Sequence, residues 1–412
     1  MPKKRVDILA EVEQLLDAPV MIVFAIALVP RLARVFALND GLQWPDARGY
    51  NEIALNLVSG RGLVSNSGAM IARAPLYPVY LAFFHWSGMG IQAARMVQAF
   101  ISAAVVFPVA YLGDRLFSRR AGRAAALMVA ACPTASYFAG TVLTESLYTL
   151  LLACAMAGLV AALESPSYSA PWLLLSGLCF GLGALTRPSQ LLLLPFLLPF
   201  ALIAGKAVRP ALAKWVLVAG LSTLCLLPWA VRNYRACGHV VFGTLKTGES
   251  LWEALGPSAD GGPGMDRMPR IERADEADEW RRDRIYRREA LSHARQHPWR
   301  TARLAVVKAL RFWNVVPNAP GYRGAVPCLI IGFYTLLVYG NAAVGCIAAR
   351  RDWRRWVILL APALYFGLLH SVFVGSIRYR EPVMPFLTVL AGYGIVHLMG
   401  PRKGGDCAAP SG

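Results

Sequence analysis

Apolar residues recur along this chain in runs of about 20, a length that crosses a bilayer as an α-helix. Short polar and basic stretches separate these runs. The pattern predicts an all-α polytopic membrane protein, a bundle of about ten transmembrane helices with further helices in its outer-face loops. The predicted spans are roughly 19–38, 93–115, 122–139, 146–163, 171–186, 189–205, 214–233, 325–347, 355–374 and 382–399.

Composition agrees with a membrane protein. The chain has 412 residues, of which 56% are hydrophobic and only 16% are charged, whereas about a quarter of the residues of an average soluble protein are charged. The net charge of +18 lies largely in short loops between apolar runs, as the positive-inside rule expects. With no recognised nucleic-acid-binding module in the sequence, the charge does not indicate a nucleic-acid partner.

The distribution of basic residues predicts the orientation. One face of the predicted bundle collects most of the lysines and arginines of the short loops, so we expect this face and both termini to be cytoplasmic. No small-residue cleavage site closes the first apolar run, which is therefore predicted to be a retained anchor. The residues counted are Lys3, Lys4, Arg5, Arg115, Arg119, Arg120, Arg123, Lys206, Arg209, Lys214, Arg350, Arg351, Arg354, Arg355, Arg402 and Lys403.

The domain organisation follows from this topology. A single transmembrane domain is predicted over 1–400, followed by a cytoplasmic tail at 401–412. Two long segments, 39–92 and 234–323, then fall on the outer face. The second is predicted to contain an exposed charged helix and an amphipathic basic helix along the membrane surface, at about 275–295 and 299–313.

Ionisable residues gather at the outer boundary of the predicted spans. Two carboxylates there, Asp46 and Glu145, accompany several arginines. Because arginine binds phosphate through two parallel hydrogen bonds and stays charged when partly desolvated, this combination predicts an anionic substrate. The arginines are Arg73, Arg187, Arg232, Arg378 and Arg380.

Each of these residues also has a simpler structural explanation. Asp46 could cap a helix over 47–58, and Glu145 could complement the dipole of the helix that it begins. Arg232 could be an ordinary flanking charge. Structural roles in a loop or inside a span also remain open for Lys246, Glu249 and His370.

The chemistry that fits is glycosyl transfer from a polyprenyl-phosphate sugar. On the outer side of the membrane ATP and nucleotide sugars are absent, so the substrate must be delivered by the membrane. The departing phosphate needs cations, and the acceptor hydroxyl or amine needs a base, for which Asp46 is the candidate in an inverting displacement. Glu145 could orient Asp46 or help to bind a divalent metal ion; the sequence establishes neither a metal site nor a cofactor.

Several stretches match those of a known family in order and spacing over roughly 19–400. They resemble the C-type (GT-C) membrane glycosyltransferases, specifically glycosyltransferase family 39, whose members are similar to protein O-mannosyltransferases and aminoarabinose transferase. The stretches are Asp46-Ala47-Arg48-Gly49-Tyr50, Arg73-Ala74-Pro75-Leu76-Tyr77-Pro78, Thr144-Glu145-Ser146-Leu147-Tyr148, Leu185-Thr186-Arg187-Pro188, Pro228-Trp229-Ala230-Val231-Arg232-Asn233-Tyr234, Lys308-Ala309-Leu310-Arg311-Phe312-Trp313 and Arg378-Tyr379-Arg380-Glu381-Pro382.

The resemblance implies a bundle of spans in the inner membrane of a bacterium, with an active site at its outer face. It implies that Asp46 is the catalytic aspartate of the first outer loop and that Glu145 is the acidic residue of the second. Arg187 and the stretch 378–380 would lie near the lipid phosphate. The predicted site thus has Asp46 and Glu145 as catalytic residues, and as substrate-binding residues Tyr50, Arg73, Arg187, Arg232, Arg378, Tyr379 and Arg380.

The sequence therefore predicts a hexosyl- or pentosyltransferase that uses a polyprenyl-phosphate-linked sugar. The acceptor would be a glycolipid, a lipopolysaccharide or a polysaccharide of the cell envelope. The alternatives are a non-catalytic assembly subunit and a transporter or flippase for an anionic lipid or lipid-linked sugar. A transporter would place polar residues deep in several spans, whereas ionisable residues are nearly absent from the predicted mid-span segments, apart from His370 near one end.

Overall fold

The computed structural model of the chain is α-helical, and the part that it describes contains no β-strand. The all-α prediction is confirmed. The basic residues predicted at the two termini (Lys3, Lys4, Arg5, Arg402 and Lys403) and the tail 401–412 lie outside the described residues. The structure describes residues 8–39, 41–165, 169–318 and 324–400.

Six described stretches are long and apolar enough to cross a membrane. Each matches a predicted span. The first is formed by two helices that meet at Val105, and the last two begin with short helical turns. The six stretches are Gly90–Leu116 (α5, Gly90–Ala104, and α6, Val106–Leu116), Glu145–Glu164 (α9), Val208–Cys237 (α12), Ala325–Ala348 (α17), Arg350–Val372 (α18, Trp353–Trp356, and α19, Leu360–Val372) and Ile377–Met399 (α20, Ile377–Arg380, and α21, Met384–Met399).

The other four predicted spans are occupied by shorter helices, so a count of ten spans is not confirmed. One of them is divided in two near Cys132, because Pro133 begins a new helix there. These shorter helices are α2 (Val20–Phe36), α7 (Arg119–Ala130), α8 (Pro133–Ala139), α10 (Ala170–Thr186) and α11 (Leu193–Ala204); a further helix, α1 (Ile8–Asp17), precedes them.

Helix α9 lies at the centre of the bundle. Its side chains Tyr148, Leu152, Met156 and Leu159 are completely buried, and they belong to one hydrophobic cluster shared with α6, α7 and α21. The outward faces of α12 and α17 are apolar instead, with Leu224 and Phe333 more than half exposed. This is the arrangement expected of helices that face lipid.

Two glycines allow α17 and α21 to touch along their backbones. A Cβ atom on Gly345 would lie 2.0 Å from the Leu390 carbonyl oxygen, and one on Gly394 would lie 2.1 Å from the Asn341 carbonyl oxygen. Only glycine permits this approach. Close packing fixes α21, and with it the segment 377–383 that leads into the helix.

Ionisable residues occur inside the bundle, contrary to the expectation from the sequence. Arg31 in α2 is 0% exposed, and it donates hydrogen bonds to Ser102 Oγ (2.9 Å) and to the Val129 carbonyl oxygen (3.0 Å). Glu381 is buried and accepts a hydrogen bond from Thr134 Oγ1 (2.5 Å). Both residues have protein partners, so they stabilise helix contacts and do not indicate a path through the membrane.

Helices also form in the two long segments that were predicted to lie outside. Glu279 joins the segments by accepting hydrogen bonds from the backbone N–H groups of Met70 (2.9 Å) and Ile71 (3.0 Å). The predicted charged and amphipathic helices correspond to the two longest of these helices, Glu279–Gln296 and Pro298–Trp313. The helices are α3 (Pro45–Val58), α4 (Leu76–Trp86), α13 (Thr247–Leu255), α14 (Glu272–Asp275), α15 (Glu279–Gln296) and α16 (Pro298–Trp313).

Candidate functional site

Asp46 lies in the first turn of α3, which begins at Pro45. Its side chain does not cap the helix; it accepts hydrogen bonds from two arginines. Arg73 Nη2 lies 2.7 Å from Asp46 Oδ1, and Arg378 Nη1 lies 2.9 Å from Oδ2. Each oxygen of the carboxylate thus has an arginine partner. The Asp46 side chain is also 32% exposed, so it remains accessible.

Glu145 is the first residue of α9 and is 1% exposed. Its Oε1 atom accepts a hydrogen bond from Arg378 Nε and lies 3.7 Å from Arg187 Nη1. The second oxygen, Oε2, is buried without a hydrogen-bond partner. Arg187 follows the end of α10 in a tight turn, as the sequence indicated. Glu145 therefore holds two arginines from two different parts of the chain.

Arg378 connects the two acids. It is separated from Asp46 by 332 residues and from Glu145 by 233, yet its guanidinium group binds both. The contact series is Arg73, Asp46, Arg378, Glu145, Arg187, with three positive and two negative charges. We call these five residues the acid–arginine cluster. Its net charge is +1, which favours binding of an anion.

Aromatic rings flank all three arginines. Arg73 lies over the ring of Tyr50 (5.1 Å), Arg187 over Tyr379 (5.5 Å), and Arg378 over Trp44 (5.6 Å). Such contacts stabilise a cation and exclude water from it without neutralising its charge. The predicted residues Tyr50 and Tyr379 thus lie beside the acid–arginine cluster.

Charge sets the protonation of Asp46. Burial alone would raise the pKa of this carboxyl group, but the charges and hydrogen bonds of Arg73 and Arg378 outweigh burial. The pKa of Asp46 is held well below its usual range. The carboxylate is therefore ionised at any physiological pH and, while both arginines bind it, is a poor proton acceptor.

A rigid frame from α16 and α19 supports Arg378 and Tyr379. The rings of Phe312 and His370 stack at 5.7 Å, and those of His370 and Tyr379 at 4.4 Å with 5° between their planes. Lys308, which is 0% exposed, donates to the Val372 carbonyl oxygen (2.7 Å) at the end of α19. His370 and Lys308 act on the site through packing and position, and neither belongs to the acid–arginine cluster.

Two predicted substrate-binding arginines lie apart from the acid–arginine cluster. Arg232 donates to the carbonyl oxygens of Met70 (2.6 Å) and Leu63 (2.8 Å) and thereby anchors the first loop segment. Arg380 donates to the Tyr339 hydroxyl group (2.8 Å) and to a backbone carbonyl. The hydrogen bonds of both guanidinium groups thus go to groups outside the cluster.

The second loop segment brings further charge toward Asp46. Lys246 directly precedes α13, and Glu253 lies within this helix. Both residues interact electrostatically with Asp46. Burial lowers the pKa of Lys246, as does the charge of Arg73; burial raises the pKa of Glu253. Lys246 also forms an ion pair with Glu249 (3.9 Å). A role as solvated loop residues therefore does not fully account for Lys246 and Glu249. Glu253 gave no signal in the sequence, because nothing in its surroundings places it near residue 46.

Both acids of the acid–arginine cluster are paired with arginine side chains. Across the described ranges, no three histidine, cysteine, aspartate or glutamate side chains are grouped so as to hold a metal ion. Glu145 Oε2 is a buried carboxylate oxygen of the cluster that has no hydrogen-bond partner. The other oxygen of Glu145, Oε1, contacts both Arg378 and Arg187.

Comparison with known proteins agrees with this fold. Residues 72–231 match the model of the family described as dolichyl-phosphate-mannose-protein mannosyltransferase. No curated protein sequence matches the chain.

Solved structures resemble the chain over most of its length. A structure of the archaeal oligosaccharyltransferase AglB from Archaeoglobus fulgidus, in complex with an inhibitory peptide and a dolichol-phosphate, is 12% identical, with a TM-score of 0.59, and the alignment covers 91% of this chain and 50% of that one. Another structure of the oligosaccharyltransferase from the same organism, tethered to an acceptor peptide, is 14% identical with a TM-score of 0.56, covering 91% and 49%. ArnT from Cupriavidus metallidurans bound to undecaprenyl phosphate is 16% identical with a TM-score of 0.45, covering 91% and 77%.

The chain spans about half the length of the archaeal oligosaccharyltransferase that it matches. It has the fold of the C-type membrane glycosyltransferases, and the resemblance to that class is confirmed. Within the class, the family whose model matches part of this chain is the mannosyltransferase family named above.

Proposed function

We propose that this protein is a glycosyltransferase that moves a sugar from a polyprenyl-phosphate donor to a cell-envelope acceptor. The reaction would take place at the outer face of a bacterial inner membrane. The observation that carries the proposal is the acid–arginine cluster, in which Arg378 connects Asp46 with Glu145. The family match over residues 72–231 supports glycosyl transfer in general.

The three arginines of the cluster are the proposed phosphate ligands. Arg378 contacts both acids, and Arg73 and Arg187 contact one acid each, so the three arginines carry one charge more than the acids neutralise. A donor phosphodiester with one negative charge would bring this total to zero. As the sugar departs, negative charge grows on the phosphate, and the arginines stabilise it without any reorganisation. Arg232 and Arg380 have no place in this scheme.

Donor binding would also make Asp46 a better base. Asp46 cannot take a proton readily while Arg73 and Arg378 bind it. A phosphate that draws hydrogen bonds from both arginines would raise the pKa of Asp46 toward its ordinary value. The acceptor would therefore be activated only after the donor has bound, and the reaction would follow an ordered sequence.

The proposed reaction is a single displacement at the anomeric carbon of the sugar. The acceptor oxygen or nitrogen gives its proton to Asp46 and forms a bond to the anomeric carbon. The bond between that carbon and the phosphate oxygen breaks, and the electron pair stays on the polyprenyl phosphate. A single displacement of this kind inverts the anomeric centre. Glu145 keeps Arg187 and Arg378 in position throughout.

A glycan profile of the host tests the proposal. In a strain that lacks the chromosomal gene, wild-type protein should restore an envelope glycan, and Asp46→Asn at an equal protein level should not. Intact mass analysis should then find the unused lipid-linked sugar accumulating in the Asp46→Asn strain. An unchanged glycan and an unchanged lipid pool in the deletion strain would refute the enzyme assignment.

A further inference from the structure

A second cationic site lies outside the acid–arginine cluster, in a groove on the surface of the bundle. The groove is shallow and broadly open, with a volume of about 600 Å³, and lies among α2, the end of α7 and α8. Its walls are formed by Pro30, Arg34, Pro133, Ser136 and Tyr137, among others. Arg34 is the charged residue that lines it.

Arg34 is held in place without a neutralising partner. Its guanidinium carbon lies 5.3 Å above the ring of Tyr137, and its Nε atom is buried without a hydrogen-bond partner. Its stem packs on Gly140, where a Cβ atom would lie 3.1 Å from Arg34 Cγ. No acid in the described part of the chain forms an ion pair with Arg34. A half-buried cation of this kind is stabilised by an anion.

The surroundings of the groove indicate the source of that anion. On the same helix, Ile26 lies two turns before Arg34 and close to the same face, and it is 41% exposed, so the surface of α2 next to Arg34 is apolar and faces lipid. A soluble anion would not be drawn to such a surface, whereas a lipid would place its acyl chains on the apolar flank and its phosphate on the arginine.

The groove is connected to the proposed active site through two aromatic residues. Tyr137, which lies beneath Arg34, accepts a hydrogen bond from Trp44 Nε1 (3.1 Å). The ring of Trp44 in turn lies 5.6 Å from the guanidinium carbon of Arg378. A lipid bound at Arg34 would thus have its head group beside the cluster, separated from the donor phosphate by these two rings.

We propose that this groove binds the acceptor, and that the acceptor is a membrane lipid that carries a phosphate group. The inference rests on the proposed function. The donor is a less suitable occupant, because the proposed function assigns its single phosphate to the arginines of the cluster, and the contacts from Arg34 to Arg378 run through the rings of Tyr137 and Trp44. The proposal narrows the acceptor from any envelope component to an anionic lipid.

The test uses Arg34→Gln and Ser136→Leu, which reach the groove in different ways. The first removes the charge, and the second fills the groove while leaving Arg34 unchanged. Arg303→Gln is the matched control, because Arg303 is an exposed arginine on α16. Sugar transfer to a lipid extract of the host envelope is measured at varied acceptor and donor concentrations. Binding of dioleoyl phosphatidic acid is measured by native mass spectrometry.

Both groove variants should raise the KM for the lipid acceptor by about tenfold or more. Arg34→Gln would lose a charge-assisted hydrogen bond to the phosphate, and the larger side chain of Ser136→Leu would occupy the space of the lipid. The donor KM should stay within about twofold, and Arg34→Gln should also retain less phosphatidic acid than the control. A raised donor KM would show that the groove binds the donor and would overturn the proposal. Lost phosphatidic acid binding with an unchanged acceptor KM would overturn it as well, because the groove would then hold only a structural lipid.

Failure of the proposed function gives a different result. If the wild-type protein transfers sugar to a protein or polysaccharide fraction and not to the lipid fraction, the enzyme assignment stands and the groove proposal falls. If the wild-type protein transfers no sugar to any fraction, the assignment itself fails, and the acceptor role proposed for the groove falls with it.

Discussion

Replacement of Arg378 gives the most specific prediction, because this side chain connects both acids of the acid–arginine cluster. It donates to Asp46 Oδ2 at 2.9 Å and to Glu145 Oε1. Hydrogen bonds to charged groups contribute about 1.5–3 kcal/mol each. Arg378→Gln would leave Glu145, which is 1% exposed, with Arg187 at 3.7 Å as its remaining cation. Loss of one partner from a buried ion pair costs about 3–5 kcal/mol of stability.

The effect on catalysis should be comparable in free energy to the effect on folding, so rates are compared per folded protein. Removal of a donor that stabilises charge in a transition state lowers kcat by about 10²–10³-fold, and we expect a loss of this size for Arg378→Gln. Arg378→Lys keeps the charge, but one ammonium group cannot replace a planar fork that faces two acids. With one of two hydrogen bonds lost, at about 1.5–3 kcal/mol, the lysine variant should lose about 10- to 150-fold.

The assay is release of polyprenyl phosphate by purified protein in lipid nanodiscs, with melting followed in parallel. Arg380→Gln provides the comparison, because this neighbouring arginine is also buried but donates to Tyr339 and Asn314. It should lower the melting temperature and leave the donor KM unchanged. A loss of kcat in Arg380→Gln as large as that in Arg378→Gln, or full activity in Arg378→Gln, would refute the role assigned to the cluster.

Three further predictions concern other residues. Arg187→Ala should raise the donor KM without changing the acceptor KM, because Arg187 belongs to the cluster; unchanged steady-state kinetics would remove it from the site. Burial lowers the pKa of Lys308 from 10.5 to about 8, so between about pH 8 and pH 10.5 the unfolded state binds more protons and stability should rise with pH. Lys308→Met should flatten that rise in thermal melts. Gly394→Ala should destabilise the protein by about 1–3 kcal/mol through overpacking against α17, whereas Gly340→Ala, which has open space around its Cβ position, should not.

Much of the fold and part of the candidate site could be predicted from local features of the sequence. Runs of apolar residues locate the helices because a helix in lipid must satisfy its own backbone hydrogen bonds. Asp46 and Glu145 could be identified as candidates because each lies in the first turn of a helix next to a predicted boundary. Arg187 could be identified because the turn after α10 is too short to carry it away from the membrane.

The partners of these residues could not be read from the sequence. Nothing local distinguishes Arg378 from Arg380, and the difference arises because α20 directs one toward Asp46 and the other toward Tyr339. The burial of Arg31 was missed for a related reason. Its partners are carbonyl groups freed where α7 ends, and that interruption of a predicted span lies about 100 residues away in the chain.

Asp46→Asn in purified protein tests the central claim most directly. General-base catalysis contributes about 10²–10⁴-fold, so turnover of a polyprenyl-phosphate sugar should fall by at least about 100-fold. Binding of undecaprenyl phosphate should be retained or tighten, because Arg73 and Arg378 lose the carboxylate that competes for them. Turnover at the wild-type rate by a folded Asp46→Asn protein would contradict the account.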